Sequence, residues 1–170
     1  VFCDQEKITA RGHIPSIEAT GNTIEEYLKS FPKGKKHVEN GFFGGTFTGI
    51  PMEEQEKYLQ VARSYLEKGL VQGIRLSTRP DYIDEKGLHL LKTYGVTTVE
   101  LGAQSLDDDV LIQSARGHSS EDVELASRLI TAKGFRLGLQ MMIGLPGDTL
   151  PKSVYTAKKI IALGAVETRI

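Results

Sequence analysis

The sequence predicts an α/β fold built on a parallel sheet, and three observations carry that expectation. Short β-branched, apolar segments alternate with longer stretches of helical apolar period. These strand-like segments recur about every 30 residues with one helix in each interval, the spacing of βα units. Glycine-rich segments follow several predicted strands at their C-terminal ends, where ligand sites gather in parallel sheets and barrels. Right-handed crossovers then give either an open doubly wound sheet or a barrel, and the pattern alone does not choose. No linker or low-complexity tract divides the 170 residues, so a single domain over 1–170 is expected.

Thr23 to Phe31 reads as a first helix. Val38 to Phe43 reads as a strand running into Gly44-Gly45. Pro51 and Met52 open a helix whose Tyr58, Leu59, Ala62, Tyr65 and Leu66 fall at i, i+3, i+4 spacing, ending at Gly69. Gly73 to Ser77 is the second strand, stopped by Arg79-Pro80. Ile83 to Tyr94 follows as a helix closed by Gly95, and Val96 to Leu101 is the third strand. Asp107-Asp108-Asp109 suits a helix start, since acids favour the positive end of the dipole. Ser120 is expected to cap the next helix, with Glu121 and Asp122 in its first turn and Val123, Ala126, Leu129 and Ile130 inward, up to Gly134. Phe135 to Ile143 is the fourth strand. A helix around Ser153 to Leu163 leads to a fifth at Val166 to Ile170.

Composition is that of an ordinary globular chain, 39% hydrophobic and 25% charged. A net charge of −1 carries no electrostatic signature of nucleic-acid binding; the local cluster Lys33, Lys35, Lys36 and His37 reads as a solvated turn around Gly34. One cysteine forms no internal disulfide, which fits a reducing, cytoplasmic setting. No apolar run approaches the roughly 20 residues needed to cross a bilayer, so no membrane partner is expected.

Glu100, Gly102 and Gln104 share one face of a strand by period two, opposite Val99, Leu101 and Ala103. If the apolar set faces the helices, Glu100 and Gln104 face the interior. Buried polar groups are costly without a partner, so they either bind something or line a hydrogen-bonded, watery lumen. Gln140 and Met142 follow the same logic before Gly144-Leu145-Pro146, and Arg75, Ser77 and Arg79 share a face of the second strand. Gly44-Gly45-Thr46 is a tight turn or a place where backbone approaches a ligand closely. Arg116 is either a surface arginine between two helices or a fork for a carboxylate. His13, His37, His89 and His118 show no metal spacing and read as incidental.

Four segments in order, Val1-Phe2-Cys3, Phe42-Phe43-Gly44-Gly45-Thr46, Leu101-Gly102-Ala103-Gln104-Ser105 and Met142-Ile143-Gly144-Leu145-Pro146, together resemble the radical S-adenosylmethionine (SAM) superfamily. The resemblance is to the branch of oxygen-independent coproporphyrinogen III oxidases and the Elongator catalytic subunit. It implies a partial parallel (β/α)6 barrel, TIM-barrel-like and truncated at both ends. The family's cluster motif is C-x-x-x-C-x-Φ-C; Cys3 matches its third cysteine, a metal ligand, and Phe2 its aromatic Φ. The first two cysteines would lie before Val1, so the chain is expected to start inside its own cluster site and to be clipped at its last strand.

The implied cofactors are a [4Fe-4S] cluster and SAM, the cluster expected absent from this stretch alone, since one thiolate cannot hold a cluster that uses three. The resemblance places Gly44, Gly45 and Thr46 at the SAM amino group, Gln104 against SAM with Glu100 near it, and Arg116 at the SAM carboxylate. Gln140 and Met142 would pack the adenine and ribose, with Gln140 where many relatives carry an acid. Ser77 falls where coproporphyrinogen oxidases carry a SAM-contacting Glu, whereas the run Arg75-Leu76-Ser77-Thr78-Arg79-Pro80-Asp81 matches the Elongator-like branch. The implied full-length protein is a radical SAM enzyme that generates a 5'-deoxyadenosyl radical, either a coproporphyrinogen-oxidase-like oxidoreductase or a tRNA-modifying enzyme, with a tetrapyrrole or tRNA substrate. A rival is a cluster-free SAM- or nucleotide-binding barrel with a scaffolding role. An aldolase-type barrel holding phosphate at Gly44-Gly45-Thr46 fits less well, because no lysine stands at a strand end.

Overall fold

The computed structural model describes residues 15–32, 34 and 37–170. Phe2, Cys3 and the lysines of the basic cluster lie outside the described residues. The elements run α1 (Ile17–Ser30), β1 (Glu39–Phe42), a 3-10 turn (Phe47–Gly49), α2 (Met52–Glu67), β2 (Gly73–Thr78), a second 3-10 turn (Pro80–Tyr82), α3 (Glu85–Thr93), β3 (Thr98–Gln104), α4 (Asp108–Gln113), α5 (Ser120–Ala132), β4 (Arg136–Met141), α6 (Leu150–Ala162) and β5 (Glu167–Arg169). All four strand pairings are parallel and the order is β1-β2-β3-β4-β5. A doubly wound sheet reverses its order at a switch point. This one adds each strand on the same side, so it is an arc of barrel.

Period two sorts the strands cleanly. Ile74, Leu76, Val99, Leu101, Leu137, Leu139 and Met141 are all buried and meet Leu59, Leu88, Leu91, Val123, Ile130 and Ile160 of the helices in one core. Each such side chain contributes about 1.5–3 kcal/mol when fully buried. The other parity points to the concave face and carries the polar residues described below.

One device is repeated at the ends of α2, α3 and α5. The residue two past the helix takes positive φ, 69° at Gly69, 80° at Gly95 and 74° at Gly134. Paired backbone bonds close each end, such as Gly69 N–H to Leu66 O at 2.9 Å and Leu70 N–H to Tyr65 O at 3.0 Å. This Schellman closure satisfies the last carbonyls and aims the chain into the next strand.

Several boundaries differ from the sequence expectation. Ser119, not Ser120, caps α5: its hydroxyl accepts from Asp122 N–H at 3.2 Å, and the Asp122 carboxylate accepts from Ser119 N–H at 2.7 Å. That reciprocal box outcompetes a cap one residue later. Asp84 caps α3 from Gly87 N–H at 2.6 Å, so Ile83 precedes the helix. α1 starts six residues earlier than its apolar pattern suggests. Ser16 caps it, and α2 holds it through Tyr58 Oη–H to Pro15 O at 2.7 Å and Tyr65 Oη–H to Gly21 O at 3.4 Å. Tertiary bonds carry a helix that Thr20-Gly21-Asn22 would not sustain alone. β3 begins two residues later than expected and runs on to Gln104, and β4 ends at Met141.

Candidate functional site

The concave face has two layers. The lower layer is a charged lattice on β1, β2, β3, β4 and β5. Arg75 donates to Glu39 at 3.2 Å and to Glu167 at 2.6 Å and stands 3.6 Å from Glu100. Arg136 meets the second Glu167 oxygen at 2.7 Å, and Arg169 donates to both Glu100 oxygens. Three acids thus face three arginines. Burial alone would lower the Arg75 pKa, but Glu167, Glu39 and Glu100 together raise it, so it stays a cation. The Phe43 ring lies 5.0 Å from the Arg169 guanidinium and 5.8 Å from that of Arg75. A cavity of about 340 Å³ is lined by Phe43, Arg75, Glu100, Glu167, Thr168 and Arg169. Glu100 therefore faces the interior, 4% exposed, with its carboxylate already engaged by two guanidiniums.

The upper layer, at the strand C-termini, is built differently. β3 carries a bulge: Leu101 pairs with Leu139, but Gln104 pairs with Met141, so β3 spends one extra residue. Gln104 has φ 66°, and Ser105 N–H bonds back to Ala103 O at 2.8 Å across it. A non-glycine residue at the centre of such a three-residue turn with positive φ costs about 1–3 kcal/mol. Period two from Glu100 is broken by the bulge. The Gln104 amide still reaches the concave side, because its nitrogen lies 3.0 Å from where a Cβ on Gly102 would sit. Gln104 is 6% exposed and its Oε1 has no hydrogen-bond partner in the structure.

Gly44 has φ 98°, a conformation that favours glycine, and neither Gly44 nor Gly45 has an atom within 4 Å of a would-be Cβ. The loop after them is anchored by buried Gln55, whose amide donates to Ile50 O at 2.8 Å and Thr48 O at 3.3 Å. Thr46 is half-buried and its carbonyl accepts from Gly49 N–H at 3.0 Å. Ser77 is half-buried and sits opposite Glu100 in the register. Gln140, half-buried, sits opposite Arg169. Met142 lies beyond the end of β4, so strand alternation does not place it. Its N–H donates to Gln104 O at 2.9 Å instead. Arg116 is half-buried on the loop between α4 and α5.

Three residues were missed or set aside in the sequence. Gln55 shares the buried face of α2 with Leu59 and Ala62, and a polar residue at a core position was its signal. Asp148 organises the Gly-Leu-Pro turn by accepting from Ser153 Oγ–H at 2.6 Å, Thr149 N–H at 2.8 Å and Gly144 N–H at 2.9 Å. Burial pushes its pKa up, but these donors outweigh burial and hold it below the usual value. His118 is not incidental. It is 7% exposed, and its Nε2–H donates to Ala103 O at 3.0 Å, the carbonyl at the bulge. Burial lowers its pKa and the charges of Arg116 and Arg79 add to that, against the Ala103 bond and Asp81, so the ring is neutral.

The upper layer suits SAM as far as polar chemistry goes. It offers a buried amide oxygen without a partner at the end of β3 and an open glycine pair after β1, at the same end of the sheet. Among the described residues no three His, Cys, Asp or Glu side chains converge to hold a metal. Cys3, the cluster ligand expected from the sequence, lies outside the described residues. No helix among them is long and apolar enough to cross a membrane.

Residues 1–158 match the family model of the radical SAM superfamily. Among curated proteins, the chain is 34% identical over 170 residues to a tRNA uridine(34) acetyltransferase of Methanocaldococcus infernus, covering 90% of this chain and 30% of that protein. It is 31% identical over 146 residues to Elongator complex protein 3 of Homo sapiens, covering 76% of this chain and 27% of that protein. The chain thus spans less than a third of these relatives. Among solved structures, the archaeal M. infernus Elp3 with an N-terminal deletion superposes at TM-score 0.72 with 28% identity, over 85% of this chain and 38% of that one. Coproporphyrinogen III oxidase from Escherichia coli, a radical SAM enzyme, superposes at TM-score 0.66 over 96% of this chain and 38% of that one. At 19% identity that likeness shows the fold alone.

Proposed function

The chain belongs to the radical SAM superfamily, a family of enzymes that use a [4Fe-4S] cluster and SAM, and on that premise we propose that it is the SAM-binding core domain of a tRNA-modifying enzyme of the Elongator kind. The observation that carries SAM binding is the buried, unpartnered Gln104 Oε1 at a strained turn ending β3, at the same end of the parallel sheet where the open Gly44-Gly45 pair follows β1. A buried acceptor without a donor costs about 1–3 kcal/mol, which a bound ligand relieves. Gly44 and Gly45 let backbone approach the methionine end of SAM, Thr46 borders it, and Arg116 offers a guanidinium to its carboxylate. Gln140 and Met142 wall the adenine and ribose side, and Ser77 sits between the two layers.

Cys3 supplies one thiolate of the cluster, with Phe2 beside it, and the other two come from elsewhere in the full-length protein. When bound, the reduced cluster and SAM supply a carbon-centred radical able to take a hydrogen atom from an inert C–H bond. The domain's own task is to orient SAM and exclude water. The tRNA reading is supported by two similar proteins, a tRNA uridine(34) acetyltransferase and Elongator complex protein 3. Coproporphyrinogen-oxidase-like oxidoreduction has support only in the fold. A reducing compartment such as the cytoplasm suits a cysteine kept as a thiolate for a cluster.

The test is anaerobic reconstitution of the full-length protein with iron and sulfide, reduction, and addition of SAM. The expected result is a brown protein that cleaves SAM to methionine and 5'-deoxyadenosine, with tRNA and not coproporphyrinogen III modified. Absence of SAM cleavage by a cluster-loaded sample contradicts the reading.

A further inference from the structure

We propose that His118 is a positioning residue for Gln104: its Nε2–H, bonded to the Ala103 carbonyl, holds the β3 bulge that turns the Gln104 amide into the barrel mouth. The role for ligand binding rests on the reading of Gln104 as a SAM contact; the role in holding the turn does not.

Ala103 O is shared. It accepts from Ser105 N–H at 2.8 Å within the turn and from His118 Nε2–H at 3.0 Å from outside it. The first bond alone must hold a glutamine at φ 66°. The second comes from a different segment and fixes the same oxygen, so the turn is determined from two sides. The next oxygen in the chain, that of Gln104, accepts from Met142 N–H at 2.9 Å and ties the bulge to the end of β4. If the Ala103 carbonyl rotates away, the Gln104 amide leaves the space over Gly102 and Met142 loses its anchor.

The loop that delivers the histidine is itself tightly made. Ala115 at φ 51° and Gly117 at φ 75° turn the chain on either side of Arg116, just before His118. Ser120 N–H and hydroxyl bond Asp108 at 2.8 and 3.0 Å, pinning the start of α5 to that of α4. The second ring nitrogen, Nδ1, is buried and has no hydrogen-bond partner in the structure. The imidazole therefore has one bond to make here, and it goes to the bulge.

Amide hydrogen exchange on the full-length reconstituted protein reads the claim without reference to activity. In His118→Leu, exchange at Ser105 and Met142 should accelerate at least tenfold, while Leu76 and Leu139 of the same sheet stay unchanged. His118→Gln, whose amide nitrogen reaches the place of Nε2, should restore protection. Unchanged rates at Ser105 and Met142, or equal acceleration throughout the sheet, overturn the proposal. SAM affinity adds the coupling: His118→Leu should weaken it about tenfold, and add nothing in a Gln104→Ala background. Additive losses would mean that His118 does not act through Gln104. An unaltered protein that binds no SAM ends the SAM reading, and the exchange rates still decide the role of His118. Should the leucine variant not fold, imidazole nitrogen shifts of the unaltered protein decide: a protonated Nε2 and bare Nδ1 at neutral pH are expected, and the opposite tautomer overturns the assignment.

Discussion

The two layers of the concave face treat their polar residues in opposite ways. Below, Glu39, Arg75, Glu100, Arg136, Glu167 and Arg169 neutralise one another within the fold. Above, Gln104 keeps an unpartnered oxygen on a strained turn and Gly44-Gly45 leave space open. A satisfied polar layer is a structural element; an unsatisfied one is where the fold gives up stability, and such places cluster at ligand sites. Burial alone does not separate the layers, since Glu100 and Gln104 are 4% and 6% exposed. What separates them is charge pairing: every carboxylate and guanidinium below meets an opposite charge, even though Arg75 Nε itself makes no hydrogen bond, whereas the Gln104 oxygen above meets nothing.

The largest effect should come from breaking the charge-paired layer. Arg75→Met leaves Glu39, Glu100 and Glu167 with fewer cations than charges, and stability should fall by about 3 kcal/mol. Denaturant midpoints at unchanged slope read this; a loss under about 1 kcal/mol would mean the lower lattice is well hydrated and the contrast false. The upper layer should respond the other way. Gln104→Gly relieves the cost of positive φ while giving up the amide, so stability should stay within about 1 kcal/mol of the unaltered protein. SAM affinity should fall roughly tenfold, equivalent to about 1.4 kcal/mol, by calorimetry on the cluster-loaded full-length protein.

Away from both layers, Ser119→Ala removes the α5 capping box and should cost about 1 kcal/mol in thermal or denaturant unfolding. SAM affinity should be preserved. A smaller effect concerns acid. The Ser119 backbone and hydroxyl bonds hold Asp122 below its usual value, and the Lys152 bond does the same for Asp107. A carboxyl depressed in the folded state contributes stability that is fully present above the unfolded value near 3.8 and is lost as pH falls through the lower folded one. Unfolding free energy should therefore be flat in these terms above about pH 5 and decline below about pH 4. Asp122→Asn should flatten part of that decline.

Much of this was legible in the sequence for particular reasons. The alternation at Glu100 survived into three dimensions because Val99 and Leu101 had one core to enter, so its partner face was fixed. Gln104 was placed on the right face by a rule that no longer applies there: the bulge breaks period two and positive φ restores the outcome. Nothing in Leu101-Gly102-Ala103-Gln104 announces a left-handed glutamine, because the turn is held by His118, 14 residues farther on. That histidine read as incidental for the same reason, its partner being a backbone carbonyl that carries no sequence signal. Arg75 lies on β2 and Glu167 and Arg169 on β5, and their convergence with Glu39 and Glu100 needs the strand order, which periodicity leaves open. Helix starts were the least readable, since Ser119 and Ser120 are equally good caps until Asp122 chooses between them.

The central claim is that the upper layer, and not the lower, receives SAM. Amide hydrogen exchange of the cluster-loaded full-length protein, with and without saturating SAM, tests it directly. New protection is expected at Gly44 to Thr46, at Gln104 and Ser105, and from Gln140 to Gly144, with Glu39, Arg136 and Glu167 unchanged. Protection confined to Glu39, Arg136 and Glu167, or none at Gln104 and Ser105, would contradict the account.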